Sequence, residues 1–438
     1  MLPQATSSES EDPLPLKKSF SLSRYFPEGT EYFYGYPAEE DSHFFNGVPP
    51  EIEELVAARP LVCAGPGVKT ICFAASMEPF VWGVMEELGV LKTKKEDVLV
   101  LPKGIDRNVK GHERNRLLKQ ALIELSTSGK LVMAQPFLDS RLKQKFSIPA
   151  HRSIWLNDKR NLNAYIPWQY TAKTYDEFLD GLCFEDCLDQ IPLPCVVKVS
   201  SSSSGDGVRI CYNKEQLENA KEDFAHLEGI IIISQLVNAT RNFGVQFGIP
   251  ENEDSPAEII MWHEQLTDEN GSFVGGIIEP KMDKSSLKPL EKVILGKILP
   301  EVRRKGWFGV GGFDVLMDKE EQFYFVDPNF RMTGMTAYDL LTRNQDIKKS
   351  LLSFTGMFEG TQSEFEKVVL DLARVGSPNQ KLHLTTLTEH EGIFHFDAAL
   401  LWSERSEIPE LVKEVMAKRV RAPSLEKLIA NGKTVVLA

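Results

Sequence analysis

Cysteine, histidine and basic charge are all scarce in this chain, and each shortage excludes something. Six cysteines in 438 residues are too few for a disulfide scaffold. Cys183 and Cys187 stand close together, but no second Cys or His pair follows at zinc-ligand spacing, so free thiols in a reducing compartment are expected. The eight histidines are scattered, with no His-Glu-x-x-His cluster. Lysine and arginine total 50 against 63 acids, a net charge of −13. That balance argues against nucleic acid or an anionic membrane as partner, while leaving room for a local basic pocket that takes a polyanion. No uncharged apolar run reaches the roughly 18 residues that suggest a membrane span; the longest candidate, around Val62 to Val84, is interrupted by Lys69 and Glu78. The N-terminus has no basic-then-apolar leader, so the cytoplasm is the expected compartment.

What is present is ordinary globular composition, 42% hydrophobic and 26% charged, at a length that suits two or three domains. Residues 1–45 mix Ser, Glu, Pro and aromatics without periodicity. They read as a tail that docks at its aromatic end, Tyr25, Phe26, Tyr32, Phe33 and Tyr34. Pro60 to Ala64 reads as the first strand, followed by the turn Gly65-Pro66-Gly67, a helix over Met77 to Leu88 and a strand over Val98 to Pro102. A helix from Arg114 to Leu125 and a strand from Leu131 to Ala134 complete a parallel α/β unit. The glycine turn is expected to face substrate from a strand's carboxyl end.

The most informative stretch is Phe325-Val326-Asp327-Pro328-Asn329-Phe330-Arg331. It continues the apolar strand Gln322 to Val326 into an acid, an amide and a cation on alternate positions, which a strand turns to one face. Upstream, Gly311 to Met317 is a second strand carrying Asp314, and Asp318-Lys319-Glu320-Glu321 is the turn between them. A hairpin there brings Asp314 beside Asp327 and Asn329. Two carboxylates and an amide oxygen are hard ligands that suit Mg²⁺, and Arg331 can face phosphate oxygens.

A second constellation begins at the strand Pro194 to Val199. It carries Lys198, runs through Ser200 to Gly207, and returns as the strand Val208 to Cys211. Small residues in such a loop can wrap backbone N–H groups and hydroxyls around phosphates. A lysine inside an apolar strand needs an anionic partner. Lys214 to Ala225 reads as a helix, Gly229 to Val237 as an apolar linker strand, Phe243 to Ile249 and Ala257 to Leu266 as strands, and Leu287 to Leu299 as an amphipathic helix. Beyond Gly334, helices at Ala337 to Arg343 and Pro409 to Lys418 and a strand at Gly392 to Phe396 carry no chemistry that the sequence names.

This order of parts, from strand-lysine and Ser/Gly loop to a hairpin ending acid-x-Asn-x-Arg, resembles the ATP-grasp superfamily over about residues 151–340. The resemblance implies α/β and α+β architecture, two α+β lobes clasping ATP, preceded by a Rossmann-like α/β domain at 46–150. Residues 151–232 would be the flexible lobe and 233–340 the metal-binding lobe, with a helical and β region of unknown role at 341–438. Lys159 and Lys198 match the two lysines that reach the ATP phosphates. Ser203, Ser204, Gly205 and Gly207 match the closing loop, and Gln235 and Val237 the adenine-contacting linker. Asp314, Asp327 and Asn329 match the ligands of Mg²⁺, for which Mn²⁺ can substitute. Arg331 matches the arginine at the reacting centre.

The implied activity is an ATP-dependent ligase that joins a carboxylate to an amine through an acyl phosphate, releasing ADP and phosphate, with Lys198 and Arg331 as its catalytic cations. Small-molecule acids and amines, amino acids among them, are the implied substrates, and superfamily members are often homodimers. Thr333, Gly334 and the Gly65 turn are the candidates for holding the acid and the amine. Two rivals use the same scaffold: a small-molecule phosphotransferase that stops at the phosphorylated product, and an ATP-binding regulatory module without turnover.

Overall fold

A computed structural model of the chain describes residues 20–36, 50–102, 105, 111–175, 188–200, 207–224, 231–267, 273–282, 284–377, 380–422 and 424–426. Three sheets organise it. The first is parallel, in the order β3-β2-β1-β4, from β1 (Tyr32–Gly35), β2 (Val68–Cys72), β3 (Val98–Val100) and β4 (Lys130–Met133). β1 lies in its middle, and all four of its residues are buried. The aromatic end of the N-terminal segment therefore does more than dock, because it supplies an interior strand of the α/β unit.

Pro60 to Ala64 is not a strand. Helix Pro50–Ala58 runs into a tight 3-10 turn, Arg59–Val62, with Pro60 near its start where no N–H is required. A short apolar run is ambiguous between buried strand and buried helix, and here packing chose the helix. The turn Gly65-Pro66-Gly67 is displaced with it. It enters β2 from the amino end, where the Tyr32 N–H donates to the Gly67 carbonyl at 3.1 Å. It therefore lies at the opposite edge of the sheet from a substrate-facing turn. The helix Pro79–Glu87, the helix Gly111–Leu125 and β3 and β4 fall where the sequence places them.

The second sheet is small and antiparallel, in the order β6-β5-β7, from β5 (Cys195–Val199), β6 (Val208–Cys211) and β7 (Ile231–Gln235). Helix Lys214–Phe224 covers one face, and the two share a core that is separate from the main one.

The third sheet has nine strands: β8 (Ala239–Ile249), β9 (Glu258–Thr267), β10 (Phe273–Ile278), β11 (Gly309–Asp318), β12 (Phe323–Asn329), β13 (Ser350–Glu359), β14 (Leu382–His390), β15 (Ile393–Trp402) and β16 (Val420–Arg421). Its order is β12-β11-β8-β9-β10-β13-β15-β14, with β16 on β13. The last hundred residues thus extend the sheet that carries the acid hairpin. The expected helix Leu287 to Leu299 is two short helices, Lys288–Val293 and Leu299–Arg304, joined by a π turn over Ile294–Ile298. Pro300 follows that turn and has no N–H to continue a regular ladder. Among the described residues, no helix is long and apolar enough to cross a membrane.

Candidate functional site

The hairpin forms as read. β11 and β12 pair antiparallel, Asp314 lies directly opposite Asp327, and Gly312 lies opposite Asn329. Like charges facing each other across strands repel. Burial, and then the charge of Asp327, push the Asp314 carboxyl up to about 7. The site answers with cations and donors. Lys159, 7% exposed, places Nζ 3.1 Å from Asp327 Oδ1. Gln265 Nε2 donates to Asp314 Oδ1 at 2.6 Å.

Lys198 enters from the small sheet. Val197 and Val199 turn into that sheet's own core, so strand alternation sends Lys198 to the other face. There its Nζ donates to the Val326 carbonyl at 3.5 Å. Burial, and then the neighbouring charge of Lys159, lower its pKa to about 8. The backbone N–H of Lys159 donates to the Ser200 carbonyl at 3.0 Å, and the Val199 N–H donates to Gly207 at 2.8 Å. Both bonds fix the base of the serine loop. Ser203, Ser204 and Gly205 lie outside the described residues.

Two carboxylates and one amide oxygen are a short donor set for a divalent ion. Among the described residues no group of three or more His, Cys, Asp or Glu could hold a metal. The set still fits Mg²⁺, which keeps few protein ligands and takes its remaining oxygens from phosphates and water. Mutual repulsion between Asp314 and Asp327 is what such an ion relieves.

Behind Asp314 stands a group that the sequence reading missed. Asp314 pairs with Gly244 on β8, and Gly244 pairs with His263 on β9. The His263 ring fills the space over the glycine: a Cβ on Gly244 would lie 2.0 Å from its Nε2. Its Nδ1 is 3.3 Å from Asp339 Oδ1, and both residues are almost wholly buried. Burial raises the Asp339 carboxyl, and His263 opposes that rise. His263 and Gln265 occupy alternate positions of one strand, which was the only signal available in the sequence.

Arg331 meets the α/β unit rather than the small sheet. Its Nη1 donates to the Tyr36 hydroxyl at 3.4 Å and to the Met332 carbonyl at 3.2 Å, and its buried Nε has no partner. The Tyr36 hydroxyl donates to the Met332 carbonyl at 2.5 Å, and the Met332 N–H donates to the Tyr34 hydroxyl at 3.0 Å. These tyrosines end β1, so Arg331 lies at the carboxyl edge of the parallel sheet, where open α/β sheets bind ligands. Thr333 is held by Gln246, whose Nε2 donates to its Oγ1 at 2.9 Å. Gln235 is exposed, and its N–H is spent on the Lys173 carbonyl at 2.8 Å. The Val237 carbonyl accepts from Ala239 at 2.9 Å. The structure therefore gathers Lys159, Lys198, Asp314 and Asp327 into one cleft, with Asn329 two pairs further along the ladder. Gln235 ends β7, and Val237 lies in the short connection to β8.

A family model described as L-aspartate–L-methionine ligase, ATP grasp, matches residues 180–329. The structure is similar to N5-carboxyaminoimidazole synthetase from Staphylococcus aureus complexed with ADP, at 12% identity and TM-score 0.52, covering 91% of this chain and 99% of that one. It is similar to the biotin carboxylase domain of 2-oxoglutarate carboxylase from Hydrogenobacter thermophilus at 11% identity and TM-score 0.57, over 92% of this chain and 94% of that one. Biotin carboxylase from Campylobacter jejuni compares at 12% and 0.55, over 93% and 96%. At such identities these likenesses speak for the fold, and they extend over nearly the whole chain.

Proposed function

We propose, from the premise that this chain is an ATP-grasp protein, that it is an ATP-dependent ligase joining a carboxylate to an amine. The observation that carries the proposal is the convergence of two ammonium groups from different elements on a cross-strand pair of carboxylates. That arrangement suits a metal-bound polyphosphate and few other ligands.

In this reading Lys159 and Lys198 bind phosphate oxygens, and the Asp327 contact is what Lys159 holds until a nucleotide arrives. Asp314, Asp327 and Asn329 would hold Mg²⁺, which would supply positive charge against the phosphates. Gln235 and Val237 border the adenine, and the loop of Ser203, Ser204, Gly205 and Gly207 closes over the phosphates and excludes water. The substrate carboxylate attacks the γ-phosphorus, the β–γ bridging bond breaks, and ADP leaves. Arg331 steadies the transferring group, and an amine then displaces phosphate from the acyl carbon to form the amide. Exclusion of water matters because it would otherwise take the amine's place. The reading takes residues 46–150, 151–340 and 341–438 as the parts that present the acid, hold the nucleotide and complete the pocket, and the cytoplasm as their compartment.

The test is release of ADP and phosphate from Mg-ATP, with L-aspartate and L-methionine as the first acid and amine offered and pooled amino acids next. Equal ADP and phosphate that require both an acid and an amine support the ligase. ADP with a phosphorylated product and no free phosphate points to a phosphotransferase. Binding without turnover from every pool points to a regulatory module.

A further inference from the structure

Arg59 lies far from the hairpin in sequence, on the 3-10 turn that replaced an expected strand. Its Nε donates to Asp397 Oδ2 at 2.8 Å, and Asp397 Oδ1 accepts from Thr355 Oγ1 at 2.7 Å. Both members of the pair are largely buried, with side chains 17% and 7% exposed. A guanidinium that served only to latch two elements would be expected to spend its fork on the carboxylate in a bidentate pair. This one engages through Nε alone. Its two terminal nitrogens make no further hydrogen bond among the described residues.

Those nitrogens face the end of the loop after Arg331. A Cβ on Gly334 would lie 3.7 Å from Arg59 Nη1 and 3.9 Å from Nη2. Arg331 approaches the same loop from the other side, where its Nη1 donates to the Tyr36 hydroxyl at 3.4 Å and to the Met332 carbonyl at 3.2 Å. Arg331 has no acid within ion-pair distance among the described residues, and its Nε is buried without a partner. Two guanidiniums against the single carboxylate of Asp397 leave one positive charge, which one carboxylate would neutralise. Desolvated cations of this kind are stable only beside an anion.

We infer that Arg59 binds the acid substrate, with its terminal fork holding the reacting carboxylate beside Arg331, while Asp397 is the positioning residue that aims the fork. The inference rests on the ligase reading above. It makes Asp397, on β15, part of substrate recognition, and so gives the C-terminal strands a role at the pocket.

Arg59→Lys tests it, because lysine keeps the charge beside Asp397 and loses the fork. In full-length protein with Mg-ATP and L-methionine, KM for L-aspartate should rise about ten- to hundred-fold, the loss expected for a hydrogen bond to a charged group. KM for ATP should stay within about two-fold of wild type. The double variant Arg59→Met/Asp397→Leu removes both buried charges together and should show the same split. An unchanged KM for the acid in either folded variant, or an equal rise for ATP, overturns the inference and leaves Arg59 a structural latch. If wild type turns over no acid–amine pair, the ligase reading fails separately. Calorimetric titration of L-aspartate into the Mg-ADP-loaded protein then decides: binding lost in Arg59→Lys supports the role, and binding absent or unchanged overturns it.

Discussion

The nine-stranded sheet and the three-stranded sheet both send charges into one cleft, yet they are built differently. The acid hairpin belongs to a sheet whose core is continuous with that of the α/β unit, and Asp314, Gly244 and His263 lie in register across three of its strands. The small sheet has its own core, and its Lys198 reaches the hairpin through one contact at the long limit of a hydrogen bond. A floor that must hold two repelling carboxylates needs a rigid frame. On the ligase reading, a lobe that closes over a nucleotide needs few bonds to that floor. The negative charges are fixed, and one of the two ammonium groups is delivered by a separate body.

The sharpest way to break this comparison is at the floor. Asp327→Asn keeps the size and removes both the charge proposed to bind the metal and the partner of Lys159. Turnover should fall by about 10³-fold, in line with loss of preorganised electrostatic stabilisation, with ADP release as the readout. Retained turnover would show that the cleft is not the site. Lys198→Met strikes the small sheet. It should weaken ATP binding by about a hundred-fold, measured by titration of Mg-ATP. It should leave the melting temperature of the free protein equal or higher, because the cation it removes is disfavoured by burial. If Lys198 instead stabilises the free fold, its melting temperature will drop.

A smaller effect probes the frame itself. Gly244→Ala drives a Cβ into the almost wholly buried His263 ring and should cost about 2 kcal/mol by denaturant unfolding. Adding His263→Ala should recover most of that loss. A double variant no better than the single one would mean that the clash is not what destabilises it.

The hairpin was legible because its information is local: alternation, a polar turn and spaced acids lie within a short stretch, and Asp314 met Asp327 as read. Lys198 was legible for the same reason, since alternation alone aims it away from Val197 and Val199. β1 escaped because a central parallel strand is buried on both faces and shows no alternation. β13 escaped likewise, its first four residues being buried or nearly so. The partners of His263 and Arg59 could not be read at all. The meaning of the two residues depends on Asp339 and Asp397, and Arg59 is separated from its partner by 338 positions. Only the fold makes them neighbours. The Gly65 turn shows the converse error, a motif assigned to an edge of the sheet before the direction of its strand was known.

The last expected effect is a trough in the stability of the free protein near neutral pH. The Asp314 carboxyl is raised from 3.8 to about 7 by burial and by Asp327. Between those values the folded chain holds a proton that the unfolded chain has released, so stability falls as pH rises toward about 7. Lys198 is lowered from 10.5 to about 8 by burial and by Lys159. Above about pH 8 the folded chain has released a proton that the unfolded chain keeps, so stability recovers from there toward about pH 10. Melting temperatures at about pH 5, 7.5 and 9.5 should trace that trough against the background of the other titrating groups. Asp314→Asn should flatten its acid side and Lys198→Met its alkaline side. Mg-ATP should fill it, since an ion beside Asp314 and phosphates beside Lys198 supply the counter-charges that the folded chain lacks. If Asp314→Asn leaves the acid side unchanged, the two carboxylates do not repel as their register requires, and the rigid half of the comparison fails.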